Sequence, residues 1–399
     1  MIAPKHLVRI DRLFKIPYYL VWEVYIGLRG LFPLKERRQN VVVLKLLGMG
    51  SIIKLASLYQ KFQVDKSRVT ICTFEQNQAL CDLLGFDNRI FIRTNNLTVF
   101  FLDNIKAFLK VQKIKPRYII DLERCSNAVG LLRAFLGVAG GSKTISFIKN
   151  RHDRLFRHDK MLSMWSCTHE QLLVKTIDLL PKKEMGSELS HVNVQPTKIL
   201  FNINASDYVI ARRYSRDYCG ELIESLHQWN PHLVFYLTGS ESEQNYVDVL
   251  ARKWANGDIA VHNMAGKWNL DQLTNHLADC LFFITNDSGP MHLAAYMGVP
   301  TIAIWGPTHY RHFGYEKYTN VFNISLELPC SPCFTDPTSK AAAFCQGKIN
   351  CMSELSPAII EEKIKHFVNQ LPSSRKILFP EGKTIELKEP EMAQKVKYG

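Results

Sequence analysis

Buried strands alternate with helical segments along most of the chain, and this alternation restricts the fold more than any other feature. The first strand is predicted at residues 41–46 (VVVLKL), an unbroken apolar run typical of a parallel strand buried on both faces. A glycine turn (GMGS) and a helical pattern (IIKLASLYQKF) follow it. Further strands are predicted at residues 69–74, 88–93 and 117–122. Strands separated by helices predict βαβ units and a parallel sheet.

The pattern stops at residues 181–197 (PKKEMGSELSHVNVQPT), which lose apolar periodicity and gather proline, serine and polar residues. It then restarts, with strands predicted at residues 198–204, 233–239, 281–285 and 301–306 and helical stretches such as CGELIESLHQW between them. Two α/β halves joined by a linker place a cleft between them. Ligands of open parallel sheets bind at the carboxyl ends of strands, so the chemistry is expected in the turns after these strands.

The length of 399 residues also predicts two domains. An apolar fraction of 46% with 22% charged residues is typical of a soluble globular protein. The resulting plan has an N-terminal arm, a first α/β domain, a linker, a second α/β domain and a tail. Their predicted bounds are 1–38, 39–180, 181–197, 198–365 and 366–399.

The N-terminal arm contains an apolar and aromatic stretch at residues 16–28 (IPYYLVWEVYIGL) flanked by arginines and lysines. This stretch is too short to cross a bilayer, which takes about 20 residues, and it lacks the cleavage site of a signal peptide. Basic residues beside tyrosines and a tryptophan suit a segment that lies on an anionic membrane surface. The alternative is a helix that packs on the body of the protein.

The net charge of +13 predicts an anionic partner, such as nucleic acid, a phosphorylated small molecule or lipid head groups. The sequence has no zinc-finger, RNA-recognition or helix-turn-helix signature, so a nucleic-acid partner is not expected.

Ten cysteines without a secretion signal favour a reducing compartment. Four of them have the spacing C-x2-C-x11-C-x5-C, namely Cys330, Cys333, Cys345 and Cys351. Four thiolates can complete a tetrahedral zinc site. The alternatives are free thiols in an ordered loop and labile disulfides, so structural zinc is one of several open hypotheses.

The stretch TNDSGPMHLAAYMGVPTIAIWGPT, residues 285–308, concentrates polar chemistry between two predicted strands. A helix is predicted to begin near Pro290, and small residues before it let an anion approach the backbone amides. His292, in the first turn of this helix, can donate a hydrogen bond to the same anion. Asp287 is a strong acceptor that suits a sugar hydroxyl. The alternative is that Asp287 and Ser288 only cap the helix.

This stretch closely resembles the C-terminal signature of glycosyltransferase family 9, which includes the ADP-heptose:lipopolysaccharide heptosyltransferases. Five other segments resemble the family in the same order: VVLKLLGMGSII, YIIDLERCSNAVGLLRAFLG, NINASDYVIARRYSRDYCGELI, AGKWNLDQLTNHLADC and CSPC…C…CM. The resemblance implies a GT-B fold, in which two Rossmann-like domains with parallel sheets face a central cleft. It also implies that the C-terminal domain binds a nucleotide-sugar donor.

The resemblance assigns roles to four residues of the signature. Asp287 is expected to contact hydroxyls of the transferred sugar. Ser288, Gly289 and His292 are expected to hold the diphosphate.

Four further residues take donor roles from the resemblance. Ser206 and Arg212, in the loop after the strand at residues 198–204, are expected on the phosphates. Glu241 is expected to accept from the ribose, and Trp268 to line the base pocket. The alternatives are surface charges for Arg212 and its neighbour Arg213, a helix N-terminal acid for Glu241 and a core aromatic for Trp268.

The sequence departs from the family at Ser51, in the GMGS turn, where heptosyltransferases typically carry an aspartate that is thought to act as general base. Serine is not basic near neutral pH and cannot do this alone. Asp121 and Glu123 follow the strand at residues 117–122 and are the replacement candidates, because neighbouring parallel strands end at one cleft. Glu123 is preferred, and the alternative is that both acids are structural.

These observations predict an inverting glycosyltransferase that moves a heptose from ADP-heptose to a lipopolysaccharide-core acceptor, with no cofactor required for catalysis. The predicted partners are the nucleotide sugar, an anionic lipid-linked glycan and the inner membrane surface, at which a cytoplasmic enzyme would be peripherally bound. The alternative is a catalytically impaired GT-B protein that binds a nucleotide sugar or glycan.

Overall fold

The residues that the computed structural model describes form two parallel sheets of six strands each. It describes residues 40–46, 48–122, 143–148, 160–163, 197–205, 207–255, 257–315, 318, 320–328, 331, 333 and 350–369.

The first sheet has the strand order β3-β2-β1-β4-β5-β6. Its strands are β1 (Val41–Leu44), β2 (Val69–Phe74), β3 (Arg89–Ile92), β4 (Tyr118–Asp121), β5 (Lys143–Ile148) and β6 (Lys160–Ser163). The helices described in this half are α1 (Met49–Lys61), α2 (Gln78–Leu83) and α3 (Leu97–Ile114). In the parallel register, Val41 lies opposite Val69 on one side and Tyr118 on the other.

The second sheet has the order β12-β11-β10-β7-β8-β9, which repeats the topology of the first sheet. Its strands are β7 (Lys198–Asn202), β8 (Val234–Leu237), β9 (Ala260–Asn263), β10 (Phe282–Asn286), β11 (Thr301–Ile304) and β12 (Val321–Ile324). The helices described in this half are α4 (Arg216–Trp229), α5 (Gln244–Ala251), α6 (Leu270–Asp279), α7 (Gly289–Tyr296), α8 (Tyr310–Phe313), α9 (Asn350–Ser353) and α10 (Pro357–Asn369).

Side chains on the two faces of the first sheet belong to different cores, because successive residues of a strand point to opposite faces. Val41 and Val43 of β1 pack with the buried side of α1, whereas Val42 and Leu44 pack with the buried side of α3. Helices α1 and α3 therefore cover opposite faces of this sheet.

The core under α1 continues into the second domain. It includes Leu293 and Val299, in and after α7, and Phe283 of β10. Polar contacts reinforce this junction: the buried Lys54 amine of α1 donates to the carbonyl of Gly314 at 3.0 Å. The two domains thus share one apolar interface, and α1 and α7 lie within it.

Every strand predicted from the sequence is present, and the α/β architecture with two parallel sheets is as expected. Strands β5, β6, β9 and β12 were not predicted. Strand β9 is half-exposed and β12 carries an asparagine, so neither shows the continuous apolar run of a central strand. Along the described segments, no helix combines the length and the hydropathy needed to cross a membrane.

The domain boundaries stay predictions. The arm at residues 1–38, the linker up to residue 196 and the tail from residue 370 lie outside the described residues. Helix α10 runs to Asn369, past the boundary expected at residue 365.

Candidate functional site

Polar residues collect where β7, β8 and β10 end, which is the edge of the second sheet that the topology favours for ligands. Asn204 follows β7, Thr238 follows β8 and Asp287 follows β10, and all three are buried. The Asn204 amide donates to the Thr238 carbonyl at 2.8 Å, and the Asn286 amide donates to the Asn204 carbonyl at 3.3 Å. These bonds tie the three turns into one surface.

Asp287 is held in place by Arg212, which comes from the loop after β7. One terminal nitrogen of this guanidinium lies 3.1 Å from the Asp287 carboxylate and 3.2 Å from its carbonyl. Burial is the largest single influence and acts to raise the pKa of the Asp287 carboxyl. The charges of Arg212 and His292, with hydrogen bonds from Thr308 and Arg212, together outweigh it, and the pKa is lowered. Asp287 is therefore an ionised acceptor at neutral pH. The Arg212 side chain is 20% exposed, so it is not a solvated surface charge.

Ser288 occupies the N-cap position of α7, but its side chain does not cap the helix. The Asn202 amide donates to the Ser288 hydroxyl at 3.0 Å, and the Thr285 hydroxyl lies 3.2 Å away. Residue Pro290 stands at the start of the helix, as predicted. Because no side chain caps this end, its backbone amides and positive dipole end can serve an anion.

His292 lies between Asp287 and a tyrosine. Its Nε2 is 3.8 Å from a carboxylate oxygen of Asp287, and its Nδ1 is 3.0 Å from the hydroxyl of Tyr315. Burial lowers the pKa of His292 to about 3, with a further contribution from the Lys54 charge. The imidazole is therefore neutral near pH 7, and it acts on an anion as a hydrogen-bond donor.

The surroundings of His292 favour one tautomer. A proton on Nε2 faces the negative carboxylate of Asp287, while Nδ1 can then accept a hydrogen bond from the Tyr315 hydroxyl. Tyr315 is buried, and its hydroxyl also lies 3.5 Å from the His292 carbonyl. We infer that Tyr315 holds the ring with its proton on Nε2, the nitrogen on the Asp287 side of the site.

The glycine turn of the first domain lies directly against this site. A Cβ at Gly50 would overlap the His292 ring, so a side chain there would displace the imidazole. A Cβ placed on Gly289 would lie 3.4 Å from the Met49 side chain. Ser51 follows in the first turn of α1 and is partly exposed. The structure thus brings the two glycine turns of the sequence together.

Lys54 and Tyr315 were not singled out from the sequence. Lys54 sits in the apolar pattern IIKLASLYQ on the buried side of α1, and its amine lies 5.0 Å from the centre of the Tyr315 ring. A lysine at a core-facing position of an amphipathic helix is a signal that could have identified it, because lysine is rarely buried without a partner. Tyr315 carries no comparable signal.

Some buried polar atoms at this site have no hydrogen-bond partner among the described residues. They are Asn204 Oδ1, Arg212 Nε and Thr238 Oγ1. An unsatisfied buried polar group costs about 1–3 kcal/mol, so several at one edge indicate a place where a polar ligand supplies the partners.

Glu241 and Trp268 lie after β8 and β9 respectively. Glu241 is exposed and begins a short 3₁₀ helix, in which a different acid, Glu243, makes the capping bonds. Trp268 stacks on His276 with a centroid separation of 4.0 Å and on Tyr236 at 6.0 Å. Since protein rings contact Trp268, its packing matches the core alternative. Its role at a base, and that of Glu241 at a ribose, stay predictions.

The expected replacements for the general base are only partly described. Asp121 is the last residue of β4 and is fully buried, which favours its structural alternative. Glu123 and the phosphate-binding candidate Ser206 lie outside the described residues.

Two of the four clustered cysteines fall within the described residues. Cys333 Sγ lies 3.9 Å from the Pro307 carbonyl, and Cys351 is buried beside Gly306. Cys330 and Cys345 lie outside. The described part of the chain contains no group of three or more metal-ligating side chains, and zinc at this cluster gains no support.

Part of this chain matches a known protein family. Residues 174–343 match glycosyltransferase family 9 (heptosyltransferase). Lipooligosaccharide heptosyltransferase 2 of Campylobacter jejuni is 30% identical over 171 residues, which are 43% of this chain and 51% of the relative. The chain thus spans about half the length of the Campylobacter jejuni relatives that it matches.

Solved structures show the same fold. Heptosyltransferase II of E. coli superposes with a TM-score of 0.58 at 17% identity, covering 82% of this chain and 98% of that one. E. coli heptosyltransferase WaaC with ADP-2-deoxy-2-fluoro heptose gives a TM-score of 0.55 at 15% identity, with coverages of 82% and 99%. These superpositions confirm the predicted GT-B fold, and the predicted resemblance to family 9 is confirmed over residues 174–343.

Proposed function

We propose that this glycosyltransferase family 9-like chain is an inverting glycosyltransferase that moves a heptose from ADP-heptose to a lipopolysaccharide-core acceptor. The observation that carries the proposal is the cluster of Asp287, Arg212 and His292 at the uncapped start of α7, next to polar atoms that lack partners. The names of the matched relatives, and the ADP-heptose analogue in the WaaC structure, support the choice of donor.

In this proposal the donor diphosphate lies at the amino end of α7. The backbone amides of the first turn and the Arg212 Nε supply hydrogen bonds, and the guanidinium supplies positive charge. Asp287 accepts from hydroxyls of the heptose. The base and ribose lie toward Trp268 and Glu241, which extend along the same edge of the sheet.

Transfer requires stabilisation of the departing diphosphate. As the anomeric C–O bond breaks, negative charge grows on the bridging oxygen, and preorganised donors lower the barrier. Neutral His292 donates a hydrogen bond from Nε2 to this oxygen, and Tyr315 holds the imidazole ring in the orientation that allows it. Arg212 then pairs with the diphosphate, so the cation needed for departure comes from the chain itself.

The acceptor hydroxyl attacks from the opposite side and loses its proton to a base on the first domain. Ser51 lies in the right turn but lacks basicity. Glu123 is the proposed base, and Asp121 is less favoured because it is buried. Attack from this side inverts the anomeric carbon, because the new bond to the acceptor oxygen forms as the bond to the diphosphate breaks, and the carboxylate takes the hydroxyl proton.

Ser51 also supports a second candidate function. Without a base, the same donor site would bind a nucleotide sugar or glycan without transferring it. The site on the second domain is compatible with both functions, and only turnover separates them.

The proposed setting is the cytoplasmic side of the inner membrane, where the enzyme would bind peripherally. An acceptor that is lipid-linked and phosphorylated suits a chain with a net charge of +13. Nucleic acid is not a proposed partner.

The direct test incubates the purified chain with ADP-heptose and extracted lipopolysaccharide core lipid and measures ADP release. We expect release that depends on acceptor, and heptose that appears on the acceptor with inverted configuration. ADP-heptose binding without release under any acceptor would reject transfer in favour of the binding function.

Two variants locate the base. Glu123→Gln should lower turnover by about 100-fold or more and leave donor affinity unchanged, because a general base contributes about 10²–10⁴ in rate. Ser51→Asp should restore part of this loss when combined with Glu123→Gln. Full activity in Glu123→Gln would show that the base is another group.

A further inference from the structure

Helix α3 (Leu97–Ile114) exposes a continuous apolar stripe. Within the part of the chain that the structure describes, seven large apolar side chains are exposed, and five of them lie on this one helix. Their exposed fractions range from 44% to 57%, for Leu97, Phe101, Leu102, Ile105 and Leu109. Residues spaced by three and four share one helix face, so these side chains form a stripe along the whole helix.

The stripe is separate from the face that attaches α3 to the domain. Phe100, Ala107 and Val111 are buried against Ile90 and Ile119 of the first sheet. They already provide the apolar contact that a surface helix needs. The five exposed apolar residues lie outside this buried contact, and exposed patches of this kind mark interaction sites.

Positive charge borders the stripe. Lys106, Lys110 and Lys113 are exposed and lie along one side of it at the helical spacing of about 100° per residue. The one acid of the helix, Asp103, is buried, and Arg93 donates to both of its carboxylate oxygens at 2.8 and 3.0 Å. The exposed face of α3 therefore combines apolar residues with lysines and carries no acid.

The stripe also faces away from the second domain. Helix α3 covers the sheet face that carries Val42 and Leu44, whereas α1 and the shared interface lie on the face that carries Val41 and Val43. A flat partner can therefore contact α3 without entering the space between the two glycine turns.

We propose that the exposed face of α3 is a docking surface for an anionic lipid bilayer. An apolar stripe bordered by lysines on a helix that lies parallel to a surface is the arrangement that inserts shallowly into a head-group layer. The lysines supply the attraction to anionic lipids, which selects a bilayer over an uncharged protein partner. The inference rests on the proposed function in one respect, since a lipid-linked acceptor brings the enzyme to a membrane.

The test uses the full chain and vesicles in a co-sedimentation assay. Vesicles of phosphatidylcholine alone are compared with vesicles that also contain phosphatidylglycerol. We expect binding to the anionic vesicles, and a loss of affinity of at least about tenfold in the double variant Ile105→Glu, Leu109→Glu. Replacing Lys106, Lys110 and Lys113 by glutamine should weaken binding by about fivefold per lysine, and only to anionic vesicles.

Val249→Glu is the matched control. Val249 is 60% exposed on α5 of the second domain, so the variant makes the same chemical change on an exposed apolar residue elsewhere. It should bind vesicles as the parent does. Circular dichroism and thermal unfolding check that all variants remain folded.

Two results would overturn the proposal. One is equal vesicle binding by the parent and the double variant, which would move the docking surface to another part of the chain. The other is a parent that binds neither kind of vesicle but forms a dimer in light scattering. If the double variant abolishes that dimer, the stripe is the contact surface for a second copy of the chain. Transfer to a water-soluble acceptor fragment should be unchanged in the double variant. The vesicle assay therefore tests the docking surface, and the transfer assay tests the proposed activity independently of it.

Discussion

The two glycine turns that meet at the domain interface share one design and carry different chemistry. Each follows a central strand of its sheet and leads into a helix, α1 in the first domain and α7 in the second. The first turn presents Met49, Gly50 and Ser51, which are apolar, small or weakly polar. The second presents Asp287 and His292, both buried and joined to further charged or polar side chains.

The two domains have the same topology, but only the turn of the second domain carries charged side chains. Burying a carboxylate is costly unless it is paired, and the second turn meets that cost with Arg212. The first turn has no such requirement, so its glycine can approach the His292 ring closely. Function therefore follows from the groups placed on the scaffold, since both sheets have the same strand order.

The largest effect should come from removing the charge of the second turn. Asp287→Asn should lower transfer by about 100-fold or more, because it removes an ionised acceptor and releases Arg212 from its partner. Single-turnover rates with saturating donor measure this. Ser51→Ala, the matching change in the first turn, should cost less than about fivefold. Similar losses in both variants would contradict the division of work between the turns.

The pH response should also belong to the second turn. The pKa of His292 is lowered to about 3 in the folded chain, against about 6.5 when unfolded, so the unfolded state binds more protons between these values. Stability is then full above about pH 6.5 and falls as the pH drops. When the pH is lowered from 7 to 5, the free energy of unfolding should fall in both proteins, and the fall should be about 2 kcal/mol smaller in His292→Gln than in the parent.

Chemical denaturation at several pH values measures that difference. His232→Gln, at an exposed histidine, is the control for replacing a histidine by glutamine. If the free energy of unfolding of His292→Gln depends on pH as steeply as that of the parent, the fold does not hold the imidazole neutral.

The smallest effect should come from Tyr315, which acts through His292. Tyr315→Phe removes the hydroxyl that bonds Nδ1 and should lower kcat by about tenfold, with little change in KM for the donor. Tyr310→Phe, which removes an exposed hydroxyl bonded to Glu327, is the control and should leave kcat unchanged. A change in KM alone would assign Tyr315 a purely structural role.

The sequence predicted the architecture well because its central strands are long apolar runs. The strand predicted at residues 69–74 is β2 (Val69–Phe74) without adjustment. Strands β9 and β12 were not predicted, because they are edge strands with exposed positions and mixed composition. Hydrophobic periodicity detects burial, and these strands are only half-buried.

The site was predictable where one motif contains it and less so where distant segments meet. Asp287, Ser288, Gly289 and His292 stand together in the sequence, and they stand together in the fold. Tyr315 could not be found in this way, because its partnership with His292 depends on the path of the chain after β11. Trp268 lies in a recognisable motif, but its position in the motif could not predict which rings stack on it.

The shared core beneath α1 has a consequence for how the molecule unfolds. Val41 and Ile53 of the first domain belong to one buried cluster with Phe283 and Leu293 of the second. Opening either domain alone would expose apolar surface of the other, so the free energies of the two halves are coupled. We therefore expect the pair to melt as one cooperative unit, unlike domains joined only by a flexible linker.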